Sequence, residues 1–184
     1  MPAPMGLANR RRGWRRDRGR AGSMVRDHPD TTVADLGEGL VRIVAKPLMY
    51  FLCTANSCRS QMAEGFARHM AGDRVEVASA GLEPSSLNAQ AVMVMGEVGI
   101  DISGHTSKAI DADLLQRADV IVTLCGDAND RCPSVPASAR RLHWDLPDPA
   151  RAAGTEAERM AVFRSVRDKI RRHVAALVSA GLAT

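Results

Sequence analysis

The run PLMYFLC (47–53) ends on a cysteine and passes, through a few small polar residues, into QMAEGFARHM, whose apolar residues recur at helical spacing. A short unbroken apolar run suits a strand buried on both faces, and a strand feeding directly into a helix points to a parallel sheet with right-handed crossovers. The pattern continues along the chain. RVEVASA (74–80) alternates as a second strand, SSLNAQAVMVMGEVGI (85–100) reads as a capped helix ending near Gly99, and DADLLQRA (111–118) as a short one. DVIVTLC (119–125) repeats the opening, an apolar run closing on cysteine. After a Pro- and Asp-rich loop come RRLHWDL (140–146), a fourth strand, and a long amphipathic helix over 155–181, with Thr155 as N-cap and Glu158 completing a capping box. The expected fold is α/β: a single domain over 47–184, a four-stranded parallel sheet with helices on both faces. Met93 and Met95 are assigned to its core.

Residues 1–46 read differently. They hold ten Lys and Arg against five Asp and Glu, whereas 47–184 hold fifteen against sixteen, so the chain's formal charge of +4 belongs to this leader. RRRGWRRDRGR (10–20), scattered Gly and Pro, and no sustained apolar period predict disorder for 1–46. The core domain therefore carries no basic excess to suggest a nucleic-acid partner. No apolar stretch follows the arginines as a signal peptide requires, and none approaches the ~20 apolar residues of a membrane span. A cytoplasmic location without membrane association is expected, with Met24 or Met49 as alternative starts.

The chemistry concentrates in CTANSCRS (53–60). Beyond the carboxyl end of a parallel strand, the turn into a helix presents free backbone N–H groups and the positive end of the helix dipole. Cys53 and Arg59 bracket that turn as Cys-x5-Arg, long enough to wrap one tetrahedral oxyanion. The amides point inward, the guanidinium grips two oxygens, and the sulfur lies beneath. The same field favours a thiolate, the nucleophilic form. Small residues at Thr54, Ala55 and Ser57 let the backbone approach the ion, Asn56 tolerates a left-handed turn, and Ser60 is placed to donate to the sulfur; Cys58 is assigned to loop packing. His105, His143 and His173 show no partner pattern and are assigned packing or surface roles.

FLCTANSCRSQMAEG, VASAGLEPSSLNAQAVMVMGEVGIDISGHTS, VIVTLCGDANDRCP and HWDLPDPARAAGTEAE together resemble the thioredoxin-coupled arsenate reductases, a branch of the low-molecular-weight tyrosine phosphatase fold. The likeness runs from residue 48 into the last helix and leaves the leader outside. It implies that Cys53 attacks arsenic while Arg59 and the loop amides hold the oxygens, and that Asp148 in LPDPA protonates the departing oxygen. It implies further that Cys125 attacks the sulfur of the Cys53–arsenic adduct, releasing arsenite, and that Cys132 then takes over Cys125 as a new disulfide, which thioredoxin reduces. CGDANDRC (125–132), rich in Gly, Asp and Asn, is expected to have little pinning it. No tightly bound cofactor is implied, and a monomer is expected. Several relatives of this kind hold a monovalent cation at positions matching Asn56, Glu64 and Ser79, with an acidic residue where this chain has Lys108; an ammonium there could stand in for potassium. Two alternatives remain open at this stage. A plain phosphotyrosine phosphatase needs only Cys53, Arg59 and Asp148. A zinc-binding or redox-sensing module would use Cys53, Cys58, Cys125 and Cys132, although spacings of four and six residues are looser than those of zinc knuckles.

Overall fold

The computed structural model describes the backbone of residues 31–34 and 42–181 and the side chains of 45–181. The disorder expected for the leader falls, over 1–30 and 35–41, outside the described residues. Two short strands within the leader, β1 (Thr31–Ala34) and β2 (Arg42–Ala45), pair antiparallel as a separate ribbon, a feature composition alone did not suggest.

The main sheet is β3 (Leu48–Cys53), β4 (Glu76–Gly81), β5 (Val120–Thr123) and β6 (Arg140–His143), all parallel, in the order β4-β3-β5-β6. Successive side chains of a strand face opposite ways, so the burial of all six β3 residues and all four of β5 means that both faces of the sheet are covered. Helices α1 (Arg59–Ala71) and α5 (Glu156–Ser179) pack on each other, and α2 (Ala89–Gly96) packs against both. The short α3 (Ala112–Arg117) and α4 (Gly126–Asp130) lie against β3. The core they enclose includes Phe51, Phe66, Phe163, Met62, Met95 and Ile121, each at most 1% exposed. Thr155 and Glu158 form the expected capping box on α5.

Three expectations need correcting. The helix expected over 85–100 starts only at Ala89, because the Asn88 side chain accepts from the amides of Gln90 and Ala91 and so caps it there, while 82–88 form no regular element. Met95 is fully buried, but Met93 is 55% exposed; two residues along a helix is about 200° of rotation, so both could not face the core. The segment 125–132 is pinned: α4 forms inside it, Arg131 pairs with Glu83 at 2.9 Å, and Arg141 donates to the carbonyl of Asn129.

The sheet order has one consequence for chemistry. From β3 the chain crosses to β4 on one side and later to β5 on the other, so a crevice opens at the carboxyl ends of β3 and β5. Cys53 ends β3 and Cys125 follows β5.

Candidate active site

Between the end of β3 and the start of α1 the chain must turn within residues 53–59, and every carbonyl from 53 to 58 is engaged. Residues 82–88 run alongside as a strap: Leu82 N donates to Cys53 O (3.2 Å), Glu83 N to Thr54 O (2.8 Å), Ser85 N to Ala55 O (3.0 Å) and Asn88 N to Ser57 O (3.1 Å). Asn56 O accepts from Ser107 Oγ (2.8 Å) and Gln61 Nε2 (3.0 Å), and Cys58 O from Met62 N (2.9 Å). In a trans peptide the C=O and the next N–H point opposite ways, so carbonyls turned to the strap turn the amides toward the cavity. Asn56 supplies the one left-handed residue, at φ 47°. Gly81 lets the strap begin so close: a Cβ there would sit 2.7 Å from Asn56 N and 2.8 Å from Thr54 O.

The cavity under this loop, of about 320 Å³, is lined from the loop by Cys53, Thr54, Ala55, Ser57, Cys58 and Arg59, and otherwise by Cys125, Gly126, Asp127, Asp148 and Arg151. None of these is aromatic. Cys53 is 2% exposed; its sulfur accepts from Asn56 N at 3.1 Å and lies 2.9 Å from Ser60 Oγ. Ser60 Oγ already accepts from Asn56 Nδ2 (2.8 Å), so its own proton is free to point at the sulfur. Two donors thus face Cys53 and stabilise negative charge there. Arg59, 7% exposed, is held in place by Leu146 O (3.0 Å) and by Asp148 Oδ2 (3.1 Å). Asp148 in turn accepts from Ala150 N, so its carboxylate is fixed at the mouth.

Cys125 lines the same cavity, its sulfur 3.3 Å from Thr54 Oγ1, while Cys132 is half-buried and lies outside the cavity. Burial raises the Cys132 thiol, with Arg141 acting against it. Burial also pushes the Cys58 thiol up, to about 11, and Ser57 lowers it only in part. Cys58 is 3% exposed and lines the cavity, and its raised value has a consequence for stability. The folded chain keeps a proton that an unfolded thiol, at 9.0, releases, so the stabilisation is complete below pH 9 and is lost as pH rises to about 11. The stability difference between wild type and Cys58→Ala, from urea titrations, is expected to narrow by about 1–2 kcal/mol between about pH 8 and 10.5. A difference that stays constant would contradict it.

The residues Asn56, Glu64, Ser79 and Lys108 do converge. Asn56 Nδ2 donates to Ser79 Oγ (2.8 Å), Ser79 Oγ donates to Glu64 Oε2 (2.5 Å), and the Lys108 ammonium lies 3.8 Å from that oxygen and donates to Thr106 O at 3.1 Å. Arg68 bonds the other Glu64 oxygen at 2.8 Å, so the buried carboxylate faces two cations. A line of oriented hydrogen bonds therefore runs from Glu64 through Ser79, Asn56 and Ser60 to the Cys53 sulfur.

Sequence reasoning missed Gly81, Ser107 and Asp127, whose partners lie far along the chain, and also Gln61 and Arg151, which bond Asn56 and Asp148 close by. It also left His105 without a partner. Its Nδ1 meets Gln61 Oε1 at 2.9 Å, which makes it a support of the loop, and burial holds it below the usual imidazole value. His143 bonds Thr123 Oγ1, and His173 stacks on Trp144 with ring centroids 4.9 Å apart. Among the described residues no group of three or more His, Cys, Asp or Glu side chains converges as a metal cage requires. None of their helices is long and apolar enough to cross a membrane.

Comparison with known proteins bears on this geometry. The family model of the low molecular weight phosphotyrosine protein phosphatases matches residues 48–183. An arsenate reductase of Shouchella clausii is 58% identical over 127 residues, 69% of this chain and 91% of that protein. The solved structure of an arsenate reductase in the phosphate-binding state superposes with a TM-score of 0.59 at 36% identity, covering 73% of this chain and 98% of the other. A thioredoxin-dependent arsenate reductase of Corynebacterium glutamicum superposes with a TM-score of 0.57 at 27% identity, covering 73% and 63%.

Proposed function

The chain belongs to the low molecular weight phosphotyrosine protein phosphatase family, and from that membership and its site we infer that it is an arsenate reductase, turning arsenate into arsenite with electrons from thioredoxin. The observation that carries this is the second cysteine: Cys125 lines the same cavity as Cys53 and Arg59, the pair suited to hold an oxyanion. Ester hydrolysis requires one sulfur and then water. Reduction of As(V) to As(III) requires two electrons, and two thiols supply them by becoming a disulfide.

The proposed steps are these. Arsenate enters with its oxygens on the loop amides and the Arg59 fork, and the Cys53 thiolate bonds to arsenic as Asp148 protonates the departing oxygen, which leaves as water. Cys125 then attacks the Cys53 sulfur. The S–S bond forms, the S–As bond breaks with its electron pair on arsenic, and arsenite departs. Cys132 displaces Cys53 from Cys125, and the resulting Cys125–Cys132 disulfide is returned to the dithiol by thioredoxin. Among the described residues the cavity lining holds no aromatic side chain, which favours a small inorganic oxyanion over a phosphotyrosine, whose ring would want an apolar wall. The test mixes the protein with arsenate, thioredoxin, thioredoxin reductase and NADPH. Arsenate-dependent loss of NADPH is expected, and none would overturn the reading.

The Lys108 ammonium beside Glu64 supplies the positive charge that a monovalent cation would bring to the loop's supporting carboxylate. The enzyme is accordingly expected to be indifferent to exchange of sodium for potassium, with rate and Tm unchanged, whereas Lys108→Gln is expected to gain a dependence on potassium. A several-fold rise for the wild type in potassium would contradict this.

A further inference from the structure

Cys125 must shed its proton as it attacks, and its sulfur lies within hydrogen-bond reach of Thr54, whose Oγ1 is 3.3 Å away. The same hydroxyl donates to Asp127 Oδ2 at 3.4 Å. A hydroxyl has one proton to give, so with that proton on Asp127 its lone pairs are left to accept the thiol's. Asp127 is exposed at the cavity's edge, where a proton it gains passes on to water. Its place is held from outside: α4 is fixed by Arg131 on Glu83 and by Arg141 on the Asn129 carbonyl. The other charged groups facing this pair across the cavity are Arg59, Asp148 and Arg151, and Asp148 is already engaged with Arg59.

We propose that Asp127, acting through the Thr54 hydroxyl, is the proton acceptor for Cys125 in the step that releases arsenite. This rests on the reading of Cys125 as the second nucleophile. As the S–S bond forms and the S–As bond breaks, the Cys125 proton moves to Thr54 Oγ1 and the Thr54 proton to Asp127 Oδ2, then to solvent. The electron pair of the broken bond stays on arsenic. Bonds of 3.3 and 3.4 Å are long for a finished relay, and such contacts shorten when the reacting complex closes.

The two consequences of a carboxylate at this position have opposite signs. As a mere negative charge Asp127 would oppose a thiolate, and its removal would speed the reaction. As a proton acceptor its removal slows it. Single-turnover release of arsenite from reduced enzyme is therefore measured across pH for wild type, Asp127→Asn and Asp127→Glu. Asp127→Asn is expected to be about tenfold slower at pH 7, the low side of general-base effects because a carboxylate is a weak base toward a thiol. The deficit is expected to fall to about twofold or less by pH 9.5, where free thiols ionise unaided near ~8.5. Asp127→Glu keeps most of the wild-type rate. An Asp127→Asn enzyme as fast as wild type or faster at pH 7, or a deficit that does not vary with pH, overturns the proposal. Wild type releasing no arsenite would instead sink the functional reading itself.

Discussion

Cys132→Ser is expected to turn a catalyst into a reagent that works once: about one arsenite per enzyme, after which NADPH oxidation in the thioredoxin-coupled assay falls below about 1% of wild type. On the proposed relay the first arsenite needs only Cys53 and Cys125, which share the cavity. The disulfide they form is the difficulty. Cys53 is 2% and Cys125 7% exposed, so an external dithiol has little access to either sulfur. Cys132, half-buried and outside the cavity, is the one thiol of the three placed to carry the disulfide outward. For it to meet Cys125 on the proposed relay, the segment between them would open, releasing α4, a helix of five, and the Arg131–Glu83 and Arg141–Asn129 contacts that pin it. Quantifying arsenite against enzyme in a quenched reaction checks the expectation, and sustained turnover by Cys132→Ser would refute the relay.

Gly81→Ala is expected to be nearly as damaging without touching a reactive group. The added Cβ would meet Asn56 N, Thr54 O and the Ala55 carbonyl carbon within 3 Å, all backbone, which cannot swing aside as a side-chain tip can. The loop must move bodily, and a displacement of about an ångström in a reacting constellation is worth about a hundredfold in rate. Overpacking of this kind also costs about 1–3 kcal/mol of stability. Gly96→Ala serves as the comparison, because a Cβ there meets nothing within 4 Å. Steady-state arsenate reduction and urea unfolding of both variants test this. A Gly81→Ala enzyme of near-normal activity would show that the strap does not set the loop's position.

Much of the site was legible in the order of residues because its signals act over short range. The apolar run of β3, the small residues after it and the helical spacing of α1 bring Cys53, Arg59 and Ser60 to one strand-to-helix junction. Asn56 in the left-handed region and Ser60 against the sulfur are likewise local consequences, three and seven residues from Cys53. The capping box of α5 is read from four consecutive residues. By contrast, the start of α2 was misplaced because 82–88 answer to the carbonyls of a loop some thirty residues earlier rather than to their own helical propensity. The helix inside 125–132 went unseen for a similar reason: its anchors, Glu83 and Arg141, come from other parts of the fold.

What the amino-acid order made legible by itself was the sulfur, the arginine and a turn of small residues between them at a strand-to-helix junction, whose exact path the distant strap 82–88 and Ser107 then hold. What only the tertiary structure decided was that β5 lies beside β3. That neighbourhood brings Cys125 to Thr54 across a separation of 71 residues, while the pairing of β4 on the other side of β3 sets Gly81 against the loop backbone. Strand order is chosen by burial over the whole sheet, a cooperative sum that no short window of the sequence contains.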